Sequence, residues 1–253
     1  MADPFFWYDV MTTDVPAAEK FYCDVVGWTA EDMSGSGQPY VVFQAAGRGV
    51  AGLMPVPHDA AGMVPAWMGY ILVKDLDAKI EALKAAGGTL HKGPITIAGV
   101  IRFAVVSDPQ GAGFLIATPL TSEPPPPLAA GMPGTIGWRE LYAADWAAVW
   151  PFYEKLFGWT KDSAIDMGAM GTYQLFRTGD DAAAGGMMTR PPQVPVSRWG
   201  YYIRVAAIDA AAARVTAGGG RILNGPMEVP GGDWVVTAMD PQGAMFSLVA
   251  PGR

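Results

Sequence analysis

Two short stretches carry side chains from which a binding or reactive site could be built. Trp7, Asp9 and Met11 alternate along the first, and Trp138, Glu140 and Tyr142 along the second. In an extended strand, side chains two apart share a face. Each stretch therefore presents an indole followed by a carboxylate on one side. A flat apolar wall beside an anion suits a planar heterocycle that is partly cationic or donates hydrogen bonds. The same carboxylate is a candidate general base. Two plainer readings stay open: the indoles as core residues, and Asp9 and Glu140 as ion-pair partners of a nearby arginine such as Arg102 or Arg204.

The remaining reactive residues are few. His58 lies in the loop Pro55-Val-Pro-His-Asp59, as a solvated side chain or a lid, and His91 is expected on an exposed strand face. Cys23, on a helix between Tyr22 and Asp24, reads as a packed, inert thiol. One cysteine and two histidines exclude an intrachain disulfide, a cysteine-based zinc site, an iron–sulfur cluster and a histidine-rich metal centre. A net charge of −7 disfavours nucleic acid, whose phosphates need Lys and Arg. No glycine-rich nucleotide motif follows a strand. The N-terminus is acidic where a signal peptide is basic, and no membrane-length apolar run occurs, so no membrane partner is expected. The lone cysteine suits a reducing cytoplasm.

The elements that position these residues come from a repeat. Asp14, Phe21-Tyr22 and Gly27-Trp28 recur as Asp145, Phe152-Tyr153 and Gly158-Trp159, at an offset of 131. Tyr40-Val-Val-Phe43 returns as Tyr173-Gln-Leu-Phe176 at 133, and Trp67 with Tyr70-Ile71 as Trp199 with Tyr202-Ile203 at 132. Asp108-Pro-Gln-Gly-Ala112 recurs letter for letter as Asp240-Pro-Gln-Gly-Ala244. A 253-residue chain, 51% apolar, thus divides into a first domain over 1–120, a proline-rich linker over 121–133 and a second domain over 134–253. Within each domain the pattern reads strand, helix and three strands, twice. Asp14 is placed to cap the first helix and Gly27 to end it. The glycine-ended helix Leu76–Ala86 opens the second module's helical part. Pro151 falls inside the matching helix of the second domain, where it removes a hydrogen bond and favours a kink. Asp108 and Asp240 are expected to form hairpin turns.

Paired β-α-β-β-β modules, the Asp-x-x-x-Ala-x-x-Phe-Tyr pattern before Gly-Trp, and the closing Asp-Pro-x-Gly strand resemble the vicinal oxygen chelate superfamily. That group includes glyoxalases, bleomycin-resistance proteins and extradiol dioxygenases. The resemblance implies an α+β fold of two tandem domains, each a curved mixed sheet around a cleft. It also implies a divalent metal, held by His, Glu or Gln from four strands. The corresponding positions are Trp7, Gly52, Gly69 and Leu115 in the first domain, and Trp138, Gly186, Tyr201 and Ser247 in the second. None carries a good donor. The position of the family's glutathione-binding arginine holds Met11 and Tyr142. The glycines opposite the indoles are expected to leave room for a ligand.

These ten positions, with Asp9 and Glu140, are therefore the candidate ligand contacts, with no metal and no cofactor expected. The expected function is glyoxalase- or bleomycin-resistance-like binding of a small, planar aromatic molecule by a monomer or homodimer. The alternatives are a metal-dependent lyase or hydroxylase-like oxygenase using unorthodox ligands such as Asp9, Glu140 and His58, and a protein-interaction module.

Overall fold

A computed structural model describes residues 2–35, 39–58, 62–121, 128–129, 131–179 and 182–253. The proline run of the linker lies outside the described residues. The first half contains β1 (Phe5–Thr12), α1 (Val15–Val26), β2 (Thr29–Asp32), β3 (Val41–Ala45) and β4 (Arg48–Pro55). Its second module is β5 (Ala66–Leu72), α2 (Leu76–Ala85), β6 (Thr89–Ile97), β7 (Ile101–Ser107) and β8 (Gly113–Pro119). The second half repeats this as β9 (Ile136–Ala143), α3 (Trp146–Phe157), β10 (Thr160–Asp166), β11 (Thr172–Arg177) and β12 (Gly185–Thr189). It closes with β13 (Arg198–Arg204), α4 (Ile208–Ala217), β14 (Arg221–Glu228), β15 (Trp234–Met239) and β16 (Met245–Ala250).

The strands form two eight-stranded, unclosed mixed sheets, ordered β2-β3-β4-β1-β5-β8-β7-β6 and β10-β11-β12-β9-β13-β16-β15-β14. Each sheet is thus made from the two modules of one sequence half. The parallel joins, β1 with β4 and β9 with β12, bring residues distant in sequence into register: Asp9 lies opposite Gly52, and Glu140 opposite Gly186.

The helix ends follow local chemistry. Asp14 accepts from the Ala17 N–H at 3.1 Å, and Asp145 from Ala147 and Ala148 at 3.0 and 3.1 Å. Gly27 and Gly158 end α1 and α3 at φ values of 87° and 69°, in the left-handed region that disfavours a side chain. α3 runs as one helix through Pro151. The residue whose carbonyl loses its partner there, Ala147, is exposed, so water can satisfy it.

By contact the chain forms two compact units that do not follow its sequence halves. One comprises Met1–Phe6, Gly69–Pro126 and Trp138–Trp199; the other comprises Trp7–Met68, Pro127–Gly137 and Gly200–Arg253. α2 packs on α3 in the first unit, and α1 on α4 in the second. In the second unit the Trp67 indole donates to the buried Tyr22 hydroxyl at 2.9 Å, and Tyr22 donates to Asp240 at 2.9 Å. The first unit repeats the relay from Trp199 to Tyr153 at 3.2 Å and from Tyr153 to Asp108 at 2.9 Å. Both aspartates also form the expected turns, accepting from backbone N–H groups two and four residues on.

Candidate functional site

In the second unit, β1 and β4 with the residue just before β3 assemble Trp7, Asp9, Gly52 and Tyr40. The Trp7 indole N–H lies 2.9 Å from Asp9 Oδ1 and 3.0 Å from the Tyr40 hydroxyl, and Tyr40 donates to the same Oδ1 at 2.9 Å. Asp9 is buried, whereas Trp7 and Tyr40 are only partly covered. A methyl group built on Gly52 would collide with Asp9 Oδ1 and with the Tyr40 hydroxyl. Glycine therefore lets Asp9 and Tyr40 close over this strand, and a side chain here would have to displace both.

The first unit builds the same quartet from Trp138, Glu140, Gly186 and Tyr173. The Trp138 indole donates to the Tyr173 hydroxyl at 2.8 Å, and Tyr173 is hydrogen-bonded to Glu140. A Cβ on Gly186 would strike the Tyr173 ring. Again the carboxylate is buried and the indole partly exposed.

The two tyrosines are the functional candidates that the sequence reading missed. Their signal was available, since Tyr40 and Tyr173 open the repeated Tyr-x-x-Phe motif. They also correct two expectations. The room above Gly52 and Gly186 is filled by Tyr40 and Tyr173 and is not open space. Asp9 is met by a phenol and an indole and Glu140 by a phenol, while Arg102 is committed to Asp77 through two bonds of 2.7 and 2.8 Å. The Arg204 side chain lies against Gly137.

The other positions divide by strand register. Leu115 is opposite Tyr70, and Ser247 opposite Tyr202. Residues paired across parallel strands share a face. Tyr70 and Tyr202, one residue on, therefore replace Gly69 and Tyr201 on the faces carrying Leu115 and Ser247. Gly69 and Tyr201 point the other way, and the Tyr201 ring packs edge-on to Tyr8 at 5.2 Å. A one-residue slip on the fifth strand of each half accounts for the difference. Ser247 is buried and bonds Thr237 at 3.2 Å. Met11 and Leu115 are buried apolar side chains. Tyr142 is partly covered and lies under the Arg198 guanidinium, 4.9 Å from ring centre to Cζ. His58 and His91 are exposed. Burial and the neighbouring Glu19 and Asp24 push the Cys23 thiol up to about 11, which disfavours its reactive thiolate.

This donor set does not fit a divalent metal. The positions in question hold indole, glycine, phenol, leucine and serine side chains. Asp9 Oδ1 already accepts from an indole and a phenol. Among the described residues no group of three or more His, Cys, Asp or Glu is placed to hold an ion.

Burial, with the adjacent Asp9 and Glu140 charges, raises Tyr40 and Tyr173 above the ordinary tyrosine range. Both phenols stay protonated as donors. A phenol harder to ionise folded than unfolded contributes stability that is fully present below the unfolded value of ~10 and lost as pH rises beyond it. Denaturant unfolding on the alkaline side will show this. Tyr40→Phe and Tyr173→Phe will each flatten the fall of stability above that pH, by up to about 1.4 kcal/mol per pH unit. An unchanged slope in both variants would contradict the assignment.

Comparison with known proteins bears on the family and the fold. The pattern of the Glyoxalase/Bleomycin resistance protein/Dioxygenase superfamily matches residues 5–116 and again 135–248. CFP32 of Mycobacterium tuberculosis, which carries a provisional glyoxylase name, is 34% identical over 97% of this chain and 94% of its own. The anthracycline biosynthesis protein DnrV of Streptomyces peucetius is 30% identical over 96% of this chain and 91% of its own. Solved structures share the fold at low identity. A Mn(II)-bound glyoxalase from Novosphingobium aromaticivorans has a TM-score of 0.69 at 17% identity, covering 99% of this chain and 82% of that one. A 2,2',3-trihydroxybiphenyl 1,2-dioxygenase from Sphingomonas wittichii also scores 0.69, at 14% identity and with 99% and 91% covered. With its repeated modules and matching pattern over both halves, the chain belongs to the glyoxalase/bleomycin resistance protein/dioxygenase superfamily.

Proposed function

We propose that this chain binds a small, planar organic molecule against Trp7, Trp138 or both, without a bound metal. One observation carries the reading. The same Trp–carboxylate–Tyr–Gly quartet is built twice, with the carboxylate buried and the indole left partly open. A core indole would be covered, and a metal site would hold donors where these residues stand. The tyrosine and carboxylate fix the indole plane, so stacking on it costs little further ordering. The relatives named for anthracycline biosynthesis support a fused aromatic ligand, since anthracyclines are planar polycycles. The proposed setting is the cytoplasm, in keeping with the single cysteine, and no helix among the described residues is long and apolar enough to cross a membrane. Nucleic acid is not a proposed partner at a net charge of −7.

The test is a thermal-shift screen of fused aromatic heterocycles on chelator-dialysed protein, repeated on Trp7→Leu and Trp138→Leu. Hits are expected without added metal. Losing the stacking contribution will weaken the affected site by about tenfold or less. Hits that bind both variants as tightly as the parent would place the site elsewhere. Hits that appear only with added divalent metal would favour the metal-dependent lyase or oxygenase reading.

A further inference from the structure

The two quartets match, but a charged group beside one of them has no counterpart beside the other. In the first unit, Tyr142 shares the strand face of Trp138 and Glu140, and its ring lies 4.9 Å from Arg198 Cζ. Arg198 opens β13. Its neighbour Trp199 points to the other face, where it donates to Tyr153. Arg198 and Tyr142 are both partly exposed. Among the described residues Arg198 has no carboxylate partner, and its guanidinium lies over the Tyr142 ring. At the matching positions of the first half the sequence has Ala66 and Met11, which carry no charge.

We propose that the site around Trp138 is specific for a planar aromatic molecule bearing a carboxylate, which Arg198 binds, and that the site around Trp7 has no such preference. This rests on the planar-ligand reading above and names the ligand class for one of its two sites. A guanidinium lying on an aromatic ring has one face covered, while its N–H edges stay available in a fixed plane. That fork matches a carboxylate through two parallel hydrogen bonds. Glu140 and Tyr142 are two residues apart, roughly 7 Å along a strand. Trp138 lies two residues further back, so a fused ring system stacked on it must reach roughly 13 Å along the strand, past Glu140, to bring its acidic group to Arg198, about 7 Å beyond the Glu140 position. Had Arg198 served stability alone, a carboxylate partner would be expected beside it.

The experiment measures binding of anthraquinone carboxylate and of its neutral carboxamide to the full chain, by calorimetry at low and high salt. The parent, Arg198→Met, Arg198→Lys and Trp7→Leu proteins are compared. We expect Arg198→Met to weaken the carboxylate by about ten- to a hundredfold, the range of a charge-assisted hydrogen bond, and to leave the carboxamide unchanged. Arg198→Lys will recover part of the loss, because it keeps the charge and loses the fork. Salt will weaken the carboxylate selectively, and Trp7→Leu will leave its tight site intact. Unfolding midpoints of both Arg198 variants report whether the fold is retained. Equal binding of acid and amide, or an Arg198→Met protein that binds the acid like the parent, overturns the carboxylate specificity and leaves the planar-ligand reading standing. If neither compound binds the parent, the planar-ligand reading fails and this proposal fails with it.

Discussion

Residues 1–121 expressed alone will not form a monomer of native stability. The helix α1 finishes its packing on the other sequence half. Phe21 and Tyr22 meet the Phe246 ring at 5.8 and 5.4 Å, and the Arg214 guanidinium donates to the Val25 carbonyl at 2.8 and 3.0 Å. The Tyr22 hydroxyl is fully buried and its acceptor is Asp240. The second module of the fragment loses as much. Phe114 packs against Tyr153 and Phe157, Asp108 accepts from Tyr153, and Lys79 donates to the Leu156 carbonyl at 2.5 Å. Exposing each large apolar side chain costs about 1.5–3 kcal/mol, and a whole domain is held by only about 5–15 kcal/mol. Because Asp108–Ala112 repeats Asp240–Ala244 in sequence, a second copy of the fragment can offer Tyr22 an equivalent acceptor. The expected products are an unfolded chain or a self-associated pair, with co-expression of residues 122–253 restoring the native form. Sedimentation and thermal unfolding decide it: a monomeric fragment melting like the full chain would refute the expectation.

The mutual dependence of the two sequence halves also marks where the sequence could and could not be read. The repeat, the Asp caps, the glycine stops and the alternation of Trp7, Asp9 and Met11 are local signals. Each was legible because its cause lies within a few residues. The pairing of Asp9 with Gly52 is not local; it depends on a parallel join whose register no single strand encodes. For the same reason Gly69 and Tyr201 were read one residue out of phase. A strand buried on both faces, as Trp67-Met-Gly-Tyr-Ile71 is for most of its length, lacks the polar alternation that fixes phase. Tyr40 and Tyr173 were visible as repeated letters, but their role depends on a side chain folding back over a glycine on the next strand. The two relays from tryptophan through tyrosine to aspartate were missed because Tyr22 and Asp240 lie 218 residues apart.

Asp240→Ala will be among the most destabilising single substitutions outside the hydrophobic core. The carboxylate is 4% exposed and makes three bonds. Oδ1 accepts from the Gln242 and Ala244 N–H groups at 2.9 and 2.8 Å, and Oδ2 accepts from the Tyr22 hydroxyl at 2.9 Å. Truncation leaves three donors without an acceptor, one of them on a side chain with no access to water. Hydrogen bonds to a charged group contribute about 1.5–3 kcal/mol each, but water entering the exposed end of the turn recovers part of the loss, so a net cost of about 3–5 kcal/mol is expected. Asp240→Asn keeps an oxygen for the two backbone donors and turns an amide toward Tyr22, so its cost will be smaller, about 1–2 kcal/mol. Asp108→Ala removes the equivalent bonds to Gln110, Ala112 and Tyr153 in the other unit, and the two losses share no partner. The double variant will therefore lose close to the sum, unless the sum exceeds the total stability and the chain unfolds outright. Equilibrium denaturation of the parent and the four variants reads these differences. If Asp240→Ala unfolds within about 0.5 kcal/mol of the parent, as surface substitutions do, the turn holds without its carboxylate and the relay contributes nothing to joining the halves.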